Sequence, residues 1–355
     1  MPVTAPAIAI EAAWLTGLGL LPLAFNVRQW VVFYAEPRYA VLHFVALFIV
    51  AAWALDRAVS RRGGRAPGAG WSYGRLAAWA ARAPGRWGVL AAAGFAGAAA
   101  LSTLASPLPW VSLWGRDFND LSNELYSLLS LMVIFFAIAL RLRSRAQARR
   151  VVYVLVGAGA LTSAYGVAQH FGWHALGPGA GDARVFASFG NPIFFGSYLV
   201  MSIMATLAVA LDAPMRGRGR WLIVAAGLAG LQVAALWFTG SRGPWLGFAS
   251  GSAAFFVIGW LWLDRRLLLR AGGVLLAGVA IAAVVALLPA DTREGGRGVS
   301  ALGGALAEAG ALGTEGTAMS GSRGAIWGGA LRLSRTWERE PEEARVVRLL
   351  RPALG

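Results

Sequence analysis

Charged residues divide the chain into nine apolar runs, at about 7–27, 39–55, 87–107, 123–140, 151–170, 193–211, 221–239, 244–263 and 271–290. A helix needs about 20 apolar residues to cross roughly 30 Å of hydrocarbon, and lipid leaves no other open structure with its backbone satisfied. The runs therefore predict an all-α fold, a polytopic transmembrane helical bundle of about nine spans over residues 1–290. Residues 291–355 begin a large loop outside the bundle. With 57% hydrophobic and only 14% charged residues among 355, too little polar surface exists to cover a soluble globule. The first run reads as a span rather than a signal peptide, because no basic region precedes it and further spans follow.

All 32 basic residues are arginine, and there is no cysteine. Disulfides, zinc knuckles, thiol nucleophiles, Schiff-base chemistry and a Walker lysine are thereby excluded. The net charge of +15 does not point to nucleic acid, because the arginines lie between apolar runs rather than along one soluble face. They read as membrane anchors. With the N-terminus in the cytoplasm, the inner loops 56–86, 141–150, 212–220 and 264–270 hold seven, five, three and three arginines. The short outer segments hold Arg28, Arg38, Arg116, Arg184 and Arg242. That bias fits the positive-inside rule and leaves the C-terminal segment on the outer side of the membrane.

The inner stretch 56–86 is rich in Gly, Pro, Ala and Arg and reads as a flexible linker. Beyond a Gly/Ala-rich stretch, Ile326, Trp327, Ala330, Leu331, Ser334 and Trp337 recur at helical spacing, with Arg332, Arg335 and Arg339 on the other face. This predicts an amphipathic helix on the outer leaflet, with Ser322 as its N-cap. Tryptophans near predicted span ends, such as Trp87, Trp110, Trp114 and Trp221, suit an interfacial belt. No internal repeat is evident.

Arg242 is the most informative single residue. In Thr239-Gly240-Ser241-Arg242-Gly243 the chain turns between two spans with almost no loop, which holds a guanidinium at the edge of the hydrocarbon. An anion offsets that cost, and a lipid-linked phosphate or pyrophosphate is the natural partner at such depth. Snorkelling to lipid headgroups is the bland alternative. Upstream of the sixth span, Arg184 leads a segment closing on Asn191-Pro192, an N-cap followed by a first-turn proline. The span's free N–H groups would then face an anion beside Arg184; plain capping with a surface arginine is the alternative. Arg323 lies on the same outer side, so Arg184, Arg242, Arg323, Asn191 and Ser241 are the candidate pyrophosphate ligands.

For proton chemistry the candidates are His170 and His174, four residues apart, and Asp117, which lies with Asp120 and Glu124 in an outer loop. The acidic group reads equally as ion-pair partners for Arg116 and its neighbours. A zinc site lacks a third ligand except Asp182, and no metal or cofactor is expected. Glu11, inside a span, marks either function or an internal ion pair with arginine. His43, alone on a span face, reads as a satisfied core residue.

Several of these motifs coincide in one family. Pro22-Leu23-Ala24-Phe25-Asn26, Ser106-Pro107, Trp114-Gly115, Gln169, Gly172, Arg184 through Pro192 and, most specifically, Thr239 to Gly243 resemble the O-antigen ligase and polymerase family of bacterial membrane glycosyltransferases. Ser322-Arg323, Ile326-Trp327 and Ala330-Leu331 resemble the start of its large outer loop, and Pro352-Ala353-Leu354-Gly355 its next turn. The family usually has Asn-Pro-Asn where this chain has Asn191-Pro192-Ile193. The resemblance implies a GT-C-like bundle that moves a glycan from an undecaprenyl-pyrophosphate carrier to an acceptor sugar or lipid on the outer face of the bacterial cytoplasmic (inner) membrane. It also implies further loop and spans past Gly355, including the family's catalytic histidine, so none of the three histidines here inherits that role and the sequence resembles a C-terminally truncated member. A polysaccharide polymerase, a non-catalytic lipid-linked-glycan binder or transporter, and an inactive fragment are the competing expectations.

Overall fold

The computed structural model describes residues 5–25, 36–62, 85–115, 124–173, 184–212 and 220–288. All of them belong to the first of two units, Met1–Asp291. Among the described residues the regular structure is entirely helical: α1 Ala5–Leu20, α2 Glu36–Arg62, α3 Gly85–Leu104, α4 Pro109–Trp114, α5 Leu125–Arg141, α6 Arg145–His170, α7 Pro192–Asp212, α8 Arg220–Phe238, α9 Arg242–Trp262 and α10 Arg265–Ala286. The expected outer helix around Ile326–Trp337 lies outside the described residues.

Each of the nine apolar runs coincides with a helix, but only seven are long and apolar enough to cross a membrane: α2, α3, α6, α7, α8, α9 and α10. The apolar stretches of α1 and α5, Ile8–Leu20 and Leu125–Arg141, are shorter. At 1.5 Å per residue, 13 and 17 residues rise about 20 and 26 Å, less than the hydrocarbon thickness. A multi-pass membrane protein follows from these helices. The expected linker begins later than its charges suggest, because α2 continues through Asp56 and Arg57 to Arg62. Asp56 is held there by Arg141 at 3.0 Å, and the Arg57 guanidinium lies over the Trp53 ring at 4.8 Å.

The core centres on α8, which packs against α6, α7 and α10. Phe195, Leu199 and Ile203 of α7 meet Val233, Leu236 and Phe238 of α8 in one buried cluster. Lipid supplies no hydrophobic drive between helices, so close approach through small residues does the packing. A Cβ on Gly278 would lie 2.8 Å from that of Ala229, and one on Gly159 would lie 1.8 Å from Ser202 Oγ. A fully buried amide, Gln232, accepts from Thr206 at 2.9 Å and donates to Ser202 at 3.0 Å, so α7 and α8 are also joined by hydrogen bonds that hydrocarbon makes worth keeping.

Helix direction separates two ends. At one end lie the N-terminus of α6 and the C-termini of α2, α5 and α7, joined by three ion pairs: Arg141–Asp56, Arg149–Asp212 at 3.8 Å, and Arg150–Glu11, which Gln147 also joins. Glu11 thus has the arginine partner that was one of its two expected roles. At the other end lie the C-termini of α6 and α8, the N-termini of α2, α7 and α9, and the segment 184–191.

Candidate functional site

The segment Arg184–Asn191 is fixed by three helices and by the turn after α1. Val185 N–H donates to Phe238 O at 3.1 Å, and Ala187 N–H donates to the buried Gln169 side chain at 2.8 Å. The Ser188 hydroxyl donates to Pro22 O at 2.5 Å, while Ser188 O accepts from the Arg38 guanidinium, which also covers the Phe189 ring at 4.3 Å. This bonding holds Ala187 at φ +47° although it is fully buried, a left-handed conformation that a residue with a Cβ adopts only when its surroundings impose it. The segment ends in Asn191, whose Oδ1 accepts from Ile193 N–H at 2.8 Å and so caps α7. Among the expected anion ligands, Asn191 therefore spends its side-chain oxygen on the helix.

Arg184 reaches across to the turn between α8 and α9. Its Nε donates to Thr239 O at 2.9 Å and its Nη2 to Ser241 Oγ at 2.7 Å. Gly240, at φ +56°, makes this possible: a Cβ there would stand 3.3 Å from Arg184 Nε. Ser241 is 2% exposed, and its hydroxyl leaves α9 without a side-chain cap because it serves Arg184 and Thr239 instead. Of the two, Arg184 stays exposed and Ser241 is enclosed, so Ser241 organises the turn from within. Arg242, the first residue of α9, is exposed and meets no hydrogen-bond or ion-pair partner among the described residues.

At the far end Arg141, Arg149 and Arg150 each face a carboxylate. Here Arg184 bonds only to a carbonyl and a hydroxyl, which leave its charge in place, and Arg242 is unopposed among the described residues. Neutral acceptors orient a guanidinium without neutralising it, so Arg184 keeps its charge available to an anion.

The remaining candidates are less close to this arrangement. His170, at the end of α6, stacks on Phe238 with centroids 3.6 Å apart and planes 9° apart. It makes no hydrogen bond among the described residues. His174, Asp117, Asp120, Asp182, Arg116 and Arg323 lie outside the described residues. Among the described residues no group of three or more His, Asp or Glu could hold a metal ion. Arg38 is the contributor that sequence reasoning did not single out. Its only signal was position, beside Pro37 at the head of a span on the arginine-poor side.

No family model matches the chain, and neither does any curated protein or solved structure.

Proposed function

We propose that this protein binds the pyrophosphate of an undecaprenyl-linked glycan at the Arg184–Arg242 turn and transfers the glycan to a sugar or lipid acceptor, in a GT-C-like bundle of the O-antigen ligase type. The observation that supports this reading is the Arg184 guanidinium, held at the turn by Thr239 O and Ser241 Oγ, neutral acceptors that leave its charge in place. Breaking the bond between sugar and pyrophosphate leaves growing negative charge on the phosphate oxygens. Preorganised guanidinium groups at the membrane edge stabilise that charge more than they stabilise the bound donor, which is what lowers the barrier. Arg184 is pinned by two hydrogen bonds and needs no reorganisation as charge builds. Arg242 supplies a second cation from the first turn of α9, whose uncapped N–H groups add their share of positive potential. Ligase and polymerase differ only in acceptor.

Incubating the purified chain with radiolabelled undecaprenyl-pyrophosphate-linked oligosaccharide tests the reading. Transfer to an acceptor glycan or lipid supports the transferase; saturable binding without transfer gives the binder or transporter instead. No binding removes both.

A further inference from the structure

A groove enters the bundle from the opposite end, between α6, α7 and α8. Its cavity of about 410 Å³ falls within the roughly 300–1,000 Å³ of small-molecule sites. Val156, Ala225 and Thr206 form its buried floor. Thr206 has no proton to offer there, because its hydroxyl serves Ser202 O and Gln232 Oε1 at 3.0 and 2.9 Å. The flanks are Tyr153, Trp221 and Val224, at 44%, 41% and 46% exposure, so the groove lies open along the outside of the bundle. Gly157 widens it: a Cβ there would meet no atom within 4 Å. On α8 the lining runs from Trp221 to Leu228, a rise of about 10 Å at 1.5 Å per residue. One leaflet's hydrocarbon is about 15 Å, half of roughly 30 Å, so the groove takes about two thirds of one acyl chain.

The mouth of this apolar groove is cationic. Arg149 stands one turn before Tyr153 on α6 and Arg145 one turn earlier still, while Arg220 precedes Trp221 at the head of α8. Asp212 is the carboxylate that lines the mouth, and its Oδ1 is 3.8 Å from Arg149 Nη1. That is too long for a hydrogen bond, so the donors of Arg149 are not spent on it. Arg145 and Arg220 are exposed and meet no hydrogen-bond or ion-pair partner among the described residues. Three guanidinium groups against one carboxylate leave the mouth positive. Trp221, beside them, has the amphipathic ring that settles at headgroup level.

We propose that this groove binds one anionic phospholipid, with an acyl chain lying between α6, α7 and α8 and the phosphate held by Arg149, Arg145 and Arg220. The apolar floor recognises the chain, and the excess of guanidinium groups selects a negative headgroup over a zwitterionic one. Ordinary boundary lipid needs neither feature. The site is separate from the Arg184 turn and from any reaction there, so it stands whether or not the chain transfers a glycan.

The test is native mass spectrometry of the full chain in detergent, titrated with phosphatidylglycerol or with phosphatidylcholine of the same acyl chains. The unaltered chain takes up one phosphatidylglycerol at least about tenfold more tightly than phosphatidylcholine, and inorganic phosphate at the same concentration does not displace it. Gly157→Phe fills the groove from a position whose Cβ meets nothing, so the unfolding temperature holds while phosphatidylglycerol affinity falls at least about tenfold. Gly227→Phe, at an equally open position of α8 outside the groove, leaves that affinity within about twofold. Replacing Arg145 and Arg220 together by Gln lowers phosphatidylglycerol affinity toward that of phosphatidylcholine and leaves the latter unchanged. Equal affinity of the unaltered chain for the two lipids overturns the proposal, as does displacement of the lipid by phosphate. Parental affinity in Gly157→Phe or in the double arginine variant overturns it as well.

Discussion

Arg184 and Ser241, 57 positions apart in sequence, are joined by a 2.7 Å hydrogen bond that ties the entry of α7 to the turn between α8 and α9. The same guanidinium donates to Thr239 O, so one side chain fixes two strategic oxygens of a turn that has no other covering side chain cap. Removing it in Arg184→Ala leaves a buried carbonyl and a buried hydroxyl short of a donor. We expect a loss of about 1–3 kcal/mol in stability and a donor affinity lowered at least about tenfold. Arg184→Lys keeps the charge but not the fork that reaches both oxygens, and falls between the two. Thermal unfolding in detergent and donor binding, measured on the same preparations, check the order.

Gly240 holds φ +56° and lies under the Arg184 side chain. Gly240→Ala combines a left-handed backbone with a methyl 3.3 Å from Arg184 Nε. The backbone alone costs about 1–2 kcal/mol, and displacement of Arg184 adds a loss in donor affinity. A variant as stable as the parent and with the same affinity would show that the turn does not depend on glycine.

Much of this was legible in the sequence, and the reason is period and charge. Nine apolar runs placed nine helices, because only apolar segments are stable in lipid and charges mostly mark their ends. Asn191-Pro192 announced the start of α7, and Gly240 the tight turn before α9. What the runs could not give was helix length beyond the apolar stretch: α2 continues to Arg62 because Asp56 finds Arg141 on another helix, a tertiary partner that local sequence does not show. The roles inside the site were illegible for the same reason. Arg184 and Ser241 looked like two ligands for one anion, yet they are ligands for each other, and Arg38 joined the segment 184–191 through a backbone carbonyl that carries no sequence signal.

The ion pairs at the opposite end give a control. Asp56 and Arg141 are each partly exposed, at 22% and 31% of their side chains, so their pairing is worth about 1 kcal/mol or less after solvent screening. Asp56→Asn should lower the unfolding temperature slightly and leave donor binding as it was. A loss of binding comparable to that of Arg184→Ala would mean that the two ends are not functionally separate.

Because the chain has no cysteine, single cysteines report position cleanly. Cysteines replacing Arg184 and Arg242 should react with a membrane-impermeant maleimide from the extracytoplasmic face. Cysteines replacing Arg145 and Arg265 should react only once the cytoplasmic face is opened. Labelling of positions 184 and 242 from different faces would break the site apart.

Small residues set how closely α6 and α7 approach. With Ser202 Oγ only 1.8 Å from where a Cβ of residue 159 would stand, Gly159→Ala forces the helices apart or displaces a buried hydroxyl that serves Gln232. A cost of about 1–3 kcal/mol is expected, read as a lower unfolding temperature, with the arginine end unchanged in affinity per folded molecule.

Arg242 offers the sharpest measurement, because its side chain is exposed and no described residue depends on it for a hydrogen bond. Substituting it should therefore change stability by no more than about 0.5 kcal/mol. Equilibrium binding of radiolabelled undecaprenyl-pyrophosphate-linked oligosaccharide to Arg242→Ala in nanodiscs is predicted to weaken at least about tenfold at an unaltered unfolding temperature. Affinity equal to that of the parent would contradict a pyrophosphate site at this turn.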